Sequence, residues 1–255
     1  SDATIRMPLL LIVSLVWAFS FGLIKGRLAG LDPTGVAVVR LALAALVFVP
    51  FLRIRRLPVI AALRFALIGG LQFGAMYVFY LRSFSFLQAH EVALFTIFTP
   101  VYLALFAAAA DRRFRPAHVL AAVLSVVGAA LVMTGTELRP GLAVGFGLVQ
   151  LSNLCFAFGQ LAYKRVRAAQ SGLRDAELFG LLYLGALAAT GVYSLSATDW
   201  SSFHPTGPQW VVLAYLGVLA SGLCFFWWNL GALRVNAGTL AVFNNAKVPL
   251  GVACS

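Results

Sequence analysis

The sequence predicts an all-α membrane protein, and three observations lead to this prediction. Hydrophobic residues make up 62% of the 255 residues and charged residues only 11%, whereas soluble domains contain about 45–50% and about 25%. Long apolar runs follow one another with short loops between them. These runs lack the alternating pattern of a membrane β-barrel, so helices are the structure that satisfies their backbone hydrogen bonds in lipid.

The apolar runs are numerous enough for a multi-pass protein. A helical crossing needs about 20 apolar residues, and nine runs meet that length. Arg40 and Lys247 are the two charged residues well inside them. The first run is too long for a secretory signal and is followed at once by more spans, so it is expected to be a permanent helix. The predicted spans are 7–24, 33–52, 65–81, 92–110, 119–136, 140–163, 178–198, 208–233 and 235–255.

Basic residues in the loops predict the orientation. If the N-terminus lies in the cytoplasm, thirteen Lys and Arg residues fall on the inner side and four on the outer side. Such an excess is typical of cytoplasmic loops. The same use of Lys and Arg accounts for the net charge of +11, so we do not expect a nucleic-acid partner.

The residues that enzymes and metal sites need do not cluster in this sequence. The three histidines lie near the ends of spans, and neither HExxH nor GxSxG occurs. The cysteines, Cys155, Cys224 and Cys254, lie in apolar runs without metal-ligand spacing. We therefore expect no enzyme activity, no catalytic residue, no metal and no cofactor.

An internal repeat relates the two halves of the chain. Residues 18–22 resemble residues 155–159 at an offset of 137. Tyr80 aligns with Trp228 at an offset of 148. Three more residues match at the same offset: Ala89, Ala93 and Phe95 fall opposite Ala237, Ala241 and Phe243. Spans 1, 3 and 4 therefore correspond to spans 6, 8 and 9.

The repeat unit has five helices, and five is odd, so the second copy enters the membrane inverted. Inverted repeats are typical of transporters that work by alternating access, whereas a channel would need a ring of like groups. We expect one membrane domain with repeats at 1–136 and 137–255. The span at 119–136 has no partner, so we expect a ten-helix transporter of which this chain contains nine helices.

Several of these residues also carry a resemblance to a known family. They are the segment 15–21, Arg40 in the second span, and Tyr77 and Tyr80 ahead of Ala89, Ala93 and Pro100. The chain resembles the drug/metabolite transporter superfamily of EamA type, and within it the YddG-type bacterial amino-acid exporters. The resemblance implies ten helices in two repeats, a bacterial inner membrane and the export of small metabolites.

Polar and aromatic residues at mid-depth are the candidates for a solute site between the repeats. Lys247 has no acidic partner in any predicted span. A substrate carboxylate is one candidate partner; the alternatives are a neutral amine, hydrogen bonds to helix carbonyls, and snorkelling to the interface. Asn244 lies three residues before Lys247. Asn153 and Gln160 are spaced to line a pocket or to join helices by hydrogen bonds. The predicted walls are Trp17, Tyr77, Tyr80 and Trp228, with Trp227 as a further candidate.

Three residues are expected to shape the protein instead of binding the solute. Arg40 lies in the outer half of its span, and we expect a structural or gating contact. Pro100 and Pro249 predict local distortions of the fourth and ninth helices. Pairs of small residues, Gly70 with Gly74 and Gly185 with Ala189, predict close helix packing.

The sequence therefore predicts an inner-membrane exporter of amino acids, aromatic and other neutral ones, working by alternating access. A transporter of another solute class, such as a drug, a sugar or a nucleotide-sugar, is the alternative. The partners expected are the solute and membrane lipid, with a monomer favoured as the oligomeric state. The absence of an intramembrane carboxylate argues against a lipophilic cation as solute.

Overall fold

Helices joined by short turns make up the described part of the chain. The computed structural model describes residues 2–112, 140–170, 172–233, 242–246 and 250. Within these ranges seven helices are long and apolar enough to cross a membrane. They are α1 (Asp2–Arg27), α2 (Pro33–Phe51, with a last 3-10 turn at Val49–Phe51), α3 (Val59–Ser83), α4 (Ala89–Ala110), α5 (Leu142–Ala168), α6 (Asp175–Ala197) and α7 (Gly207–Ala232).

These helices confirm seven of the predicted spans. The helices α5, α6 and α7 correspond to the sixth, seventh and eighth spans of the sequence. The predicted span 119–136 lies outside the described residues, and so does the predicted span 235–255 apart from residues 242–246 and 250. The ten-helix arrangement therefore stays a prediction.

Helix ends follow local sequence signals. The α2 helix begins after Asp32, whose carboxylate accepts the backbone N–H of Gly35 at 2.7 Å, and Pro33 occupies its first turn. The α3 helix begins at Val59, earlier than the predicted start at residue 65. The extra turn carries Arg64, which is exposed; a long cationic side chain near a helix end reaches water while its stem covers apolar surface.

Three membrane helices depart from α-helical geometry. The α3 helix contains a π segment at Gly70–Ala75, and α7 contains one at Tyr215–Leu223. In the second of these, Ser221 Oγ donates to the Leu216 carbonyl oxygen at 2.7 Å. The α4 helix passes through a 3-10 turn at Thr96–Phe98, directly before Pro100, as the position of this proline predicts. Such segments occur often at functional sites.

The helices α3 and α6 cross with their backbones in contact. A Cβ atom placed on Gly69 would lie 1.9 Å from the Leu182 carbonyl oxygen, and one placed on Gly185 would lie 1.9 Å from the Ala66 carbonyl oxygen. The predicted small residues meet at this crossing, where Gly70 faces Gly185 and Ala189. Close packing at these small-residue pairs is therefore confirmed.

The two π segments take part in reciprocal contacts. The α2 helix packs against the π segment of α7, while α6 packs against the π segment of α3, and α2 and α6 pack against each other. At one end of the bundle Thr198 Oγ1 donates to the Asp32 carboxylate at 2.5 Å. Large apolar side chains remain exposed on the outside of the bundle, among them Leu67, Val192 and Leu195, as expected for a surface that faces lipid.

Candidate functional site

A first cavity lies between helices from both predicted repeats. Its empty space, counted together with its opening to solvent, is about 570 Å³. Its α1 residues come from the half of that helix nearest Arg27. Aromatic, hydroxyl and amide groups share its wall with one guanidinium. The lining residues are Trp17, Ser20, Phe21, Arg40, Met76, Tyr77, Tyr80, Thr96, Thr99, Ser152, Asn153, Phe156 and Phe225.

Arg40 is held inside the bundle and does not reach the surface, being only 2% exposed. Its Nε donates to Ser221 Oγ at 3.2 Å, and its Nη2 donates to the Tyr77 hydroxyl at 3.0 Å. The guanidinium carbon also lies 4.5 Å from the centroid of the Tyr77 ring, where a cation is attracted by the aromatic face. These contacts join α2 and α3 to the π segment of α7.

The 3-10 turn near Pro100 is held to α5 by side-chain amides. Gln150 Nε2 donates at 3.4 Å to the carbonyl oxygen of Phe95, the residue before this turn. Asn153 Nδ2 donates to that oxygen at 2.9 Å, and Asn153 Oδ1 accepts the Thr99 hydroxyl at 3.0 Å. Asn153 and Gln150 thus both bond to the Phe95 carbonyl oxygen, and they connect α5 to α4.

An aromatic layer closes one side of the first cavity. The Trp17 ring lies 4.9 Å from that of Phe225 and 5.2 Å from that of Trp228, measured between centroids. Trp17 Nε1 donates to the Ala220 carbonyl oxygen at 3.0 Å, which fixes the indole. Tyr80 stands at another part of the wall, edge-on to Phe84 at 5.2 Å.

A second cavity lies beyond the aromatic layer, towards the end of the bundle where α1 begins. Its empty space, counted together with its opening to solvent, is about 800 Å³, and Thr99 lines both cavities. Besides Thr99, its buried polar residues include three amides: Gln160, Asn229 and Asn244. The lining residues are Thr99, Pro100, Leu103, Ala104, Ala107, Gln160, Leu161, Tyr163, Lys164, Trp228, Asn229, Ala232, Leu233 and Asn244.

The predicted site residues therefore separate into two groups. Trp17, Tyr77, Tyr80 and Asn153 line the first cavity together with Arg40. Trp228, Asn244 and Pro100 line the second. Lys247 and Pro249 lie outside the described residues.

The sequence did not single out Ser221, Thr99, Phe156 or Phe225. Small hydroxyl residues and Phe are common in apolar helices, and Ser221 is separated from its partner Arg40 by 181 positions along the chain. The π segment of α7 is the feature that points to Ser221, but no sequence pattern predicts this segment. Within the described ranges, no group of three or more His, Cys, Asp or Glu residues could hold a metal ion.

Comparisons with known proteins agree with this architecture. Residues 4–134 match the EamA-like transporter family. The chain is 38% identical over 248 residues to proteins named biotin transporter from Salmonella typhimurium and Escherichia coli K12, covering 96% of this chain and 82% of each relative. It is 43% identical over 252 residues to a probable biotin transporter from Pseudomonas aeruginosa, covering 96% of this chain and 86% of the relative.

A solved crystal structure shares the fold. It superimposes with a TM-score of 0.70 at 18% sequence identity and covers 99% of this chain and 86% of its own. The family match, the extent of the similarity to the relatives and the membrane helices lead to one conclusion. The chain belongs to the EamA-like transporter family of the drug/metabolite transporter superfamily, and it is a multi-pass membrane transporter of a small solute and not an enzyme.

Proposed function

We propose that this protein transports biotin, or a closely similar monocarboxylate, across the bacterial inner membrane. The observation that carries the proposal is the composition of the first cavity wall. It combines aromatic rings with hydroxyl and amide groups and one guanidinium, and no Asp or Glu is among its described lining residues. The relatives named biotin transporter give the specific solute.

The chemistry of biotin matches these groups. Its fused rings offer apolar faces and a cyclic urea, and its side chain ends in a carboxylate. Aromatic walls such as Trp17 and Tyr80 suit the ring system, since apolar and aromatic side chains dominate small-molecule sites. The Thr96 hydroxyl donates to the Ala93 carbonyl oxygen and keeps lone pairs that suit the urea N–H groups, and the Ser152 hydroxyl is a second polar group in this wall.

Amino-acid export, the function predicted from the sequence, is the competing proposal. A zwitterion brings an ammonium group that must leave water together with its carboxylate. Burying that group without a paired anion is costly, and the described wall of the first cavity contains no carboxylate. The same wall suits a monocarboxylate better. A nucleotide-sugar would need more cationic groups than the single guanidinium among the described residues of this wall.

Alternating access is the mechanism that we propose for this transport. The two cavities lie on opposite sides of the aromatic layer, so opening one while the other closes would move a solute past Trp17 and Trp228. The reciprocal contacts of α2 and α6 with the π segments support two inverted repeats as the moving parts. With the N-terminus in the cytoplasm, the first cavity faces outwards. A monomer contains both cavities and is the proposed transport unit.

The test is uptake of labelled biotin into proteoliposomes that contain the purified full-length protein. We expect saturable uptake that an excess of unlabelled biotin abolishes, whereas tryptophan and threonine leave it unchanged. Counterflow, with biotin loaded inside, separates a facilitated exchange from uptake driven by an ion gradient. Transport of labelled tryptophan or threonine without transport of biotin would overturn the proposal in favour of amino acids.

A further inference from the structure

Arg40 carries a cationic nitrogen with no partner in the described part of the chain. Its guanidinium has five N–H groups, and the two contacts to Tyr77 and Ser221 engage Nη2 and Nε. Nη1 is buried and makes no hydrogen bond to any described residue. Two neutral groups, Gln72 Oε1 and Thr190 Oγ1, share this condition, so Arg40 is the charged one among them.

The charge of Arg40 is also unbalanced within the described residues. Ion pairs form elsewhere, at the ends of helices, as between Arg167 and Asp175 at 2.9 Å and between Arg165 and Asp111 at 2.7 Å. None of the described ion pairs involves Arg40. Removing a charge from water is expensive unless an opposite charge or several hydrogen bonds compensate for it. An anion in the first cavity would supply that compensation.

The neighbours of Arg40 fix its direction. Ser221 Oγ lies 2.8 Å from the Tyr77 hydroxyl and 2.7 Å from the Leu216 carbonyl oxygen. Because the Ser221 hydroxyl hydrogen is directed to Leu216, the Tyr77 hydroxyl donates to Ser221 Oγ, and both oxygens keep lone pairs for Arg40. The guanidinium is therefore preorganised, with the edge formed by Nε and Nη2 occupied and with Nη1 without a described partner.

We propose that Arg40 Nη1 binds the carboxylate of the transported solute, with Tyr77 and Ser221 as positioning residues. The assignment rests on the proposed function, since it names the group that recognises the acid. Charge-assisted hydrogen bonds from Arg to a carboxylate are short and strong. The contacts to Tyr77 and Ser221 hold the guanidinium in place, and the proposed role of Nη1 adds binding to the structural or gating role predicted for Arg40.

The test compares matched acid and amide ligands on the purified full-length protein. Biotin and biotinamide differ only at the carboxyl group, and ligand-induced shifts of the unfolding temperature give their dissociation constants. For the unmodified protein we expect biotin to bind about tenfold tighter than biotinamide or more. Equal binding of the two would overturn the assignment without any variant.

Variants then locate the effect. Arg40→Gln should lose the preference for biotin over biotinamide, while Arg40→Lys should keep part of it, since lysine carries the charge but lacks the planar fork. Arg64→Gln on the exposed side of α3 is the control and should keep the full preference. Full preference in a folded Arg40→Gln protein would overturn the assignment. If that variant does not fold, the unmodified protein and Arg40→Lys decide.

A second ligand pair separates the two proposals. 5-Phenylvalerate and its amide have the same acid chain on a different ring. One outcome is that the protein prefers this acid to its amide, that Arg40→Gln removes the preference, and that biotin does not bind. The role of Arg40 then stands, and biotin as substrate fails. If biotin is transported but Arg40→Gln leaves the preference for acid over amide unchanged, biotin as substrate stands and the role of Arg40 fails.

Discussion

The two cavities lie one after the other along the same helices, yet they carry different polar groups. The first has a buried guanidinium, Arg40, whose position is fixed by groups from α3 and α7. The second has amide side chains, Gln160, Asn229 and Asn244, and its cationic residue Lys164 is exposed at the end of α5. The charged side chain inside the membrane thus has hydrogen-bonding neighbours that fix its position. The neutral amides need fewer such neighbours, because no charge has to be compensated.

This difference gives the cavities different roles in the proposed transport. A fixed cation holds an anionic solute strongly at one place. Amides offer weaker, neutral hydrogen bonds to a solute on its way through. We infer that the first cavity sets the affinity for the solute and that the second provides the path away from it. The following changes test this division, beginning with the largest expected effect.

Trp228→Ala should have the largest effect, because its ring separates the cavities. The side chain is 1% exposed and packs on Trp17. Truncation of a buried aromatic ring destabilises proteins by about 3–5 kcal/mol, and it should also lower biotin uptake. Thermal unfolding in detergent measures the first effect and proteoliposome uptake the second. Trp210, which is 47% exposed, provides the control: Trp210→Ala should cost roughly 0.5 kcal/mol or less. Equal losses would contradict the separating role.

Asn153→Leu and Gln160→Leu compare the cavities directly on one helix. Asn153 donates to the Phe95 carbonyl oxygen, as Gln150 also does, and it accepts the buried Thr99 hydroxyl, which would lose this acceptor in the variant. We expect a cost of about 1–3 kcal/mol and a clear decrease of uptake. Gln160 makes one long hydrogen bond, from Trp228 Nε1 at 3.5 Å, so Gln160→Leu should change stability by less than about 1 kcal/mol. A larger effect at Gln160 would reverse the roles of the two cavities.

Tyr80 tests the apolar part of the first wall. Its ring packs against Phe21, Tyr77 and Phe84. Tyr80→Ala should weaken biotin binding by up to about tenfold, or roughly 1.4 kcal/mol, because a ring contact is lost. Tyr80→Phe keeps the ring and should bind biotin within about twofold of the unmodified protein. Titration by thermal shift distinguishes the two, and similar losses for both would assign the effect to the hydroxyl.

The last prediction concerns the orientation of the protein. Cysteine labelling is expected to leave transport unchanged and to identify the compartment that each cavity faces. In a background without Cys155, Cys224 and Cys254, a cysteine at Asp199 lies at the first-cavity end of the bundle and one at Arg56 at the other end. With the N-terminus in the cytoplasm, an impermeant thiol reagent outside intact cells should label the first and not the second. The opposite labelling would invert the orientation and make the second cavity the outward one.

Local signals made most of the fold predictable. Apolar length placed seven spans, and the small residues around Gly70 and Gly185 predicted a close crossing, because both signals reside in short stretches of sequence. The first cavity was predictable in part, through Trp17, Tyr77 and Asn153. The hydrogen bonds that hold Arg40 were not predictable, since Ser221 and Arg40 come into contact only through the packing of α2 on α7. The placement of Tyr80 and Trp228 in different cavities was not predictable either. Their alignment in the repeat does not tell how deep each residue lies in the membrane.

The crossing of α3 and α6 has a consequence for the genetics of this protein. A Cβ atom at Gly69 or Gly185 would meet backbone of the other helix at 1.9 Å, and backbone cannot turn aside as a flexible side chain can. Every missense change at a glycine codon adds a Cβ atom or more. All single-nucleotide missense alleles at these two codons should therefore behave alike, as losses of function, whatever residue they encode. An allelic series at either codon would have no mild members.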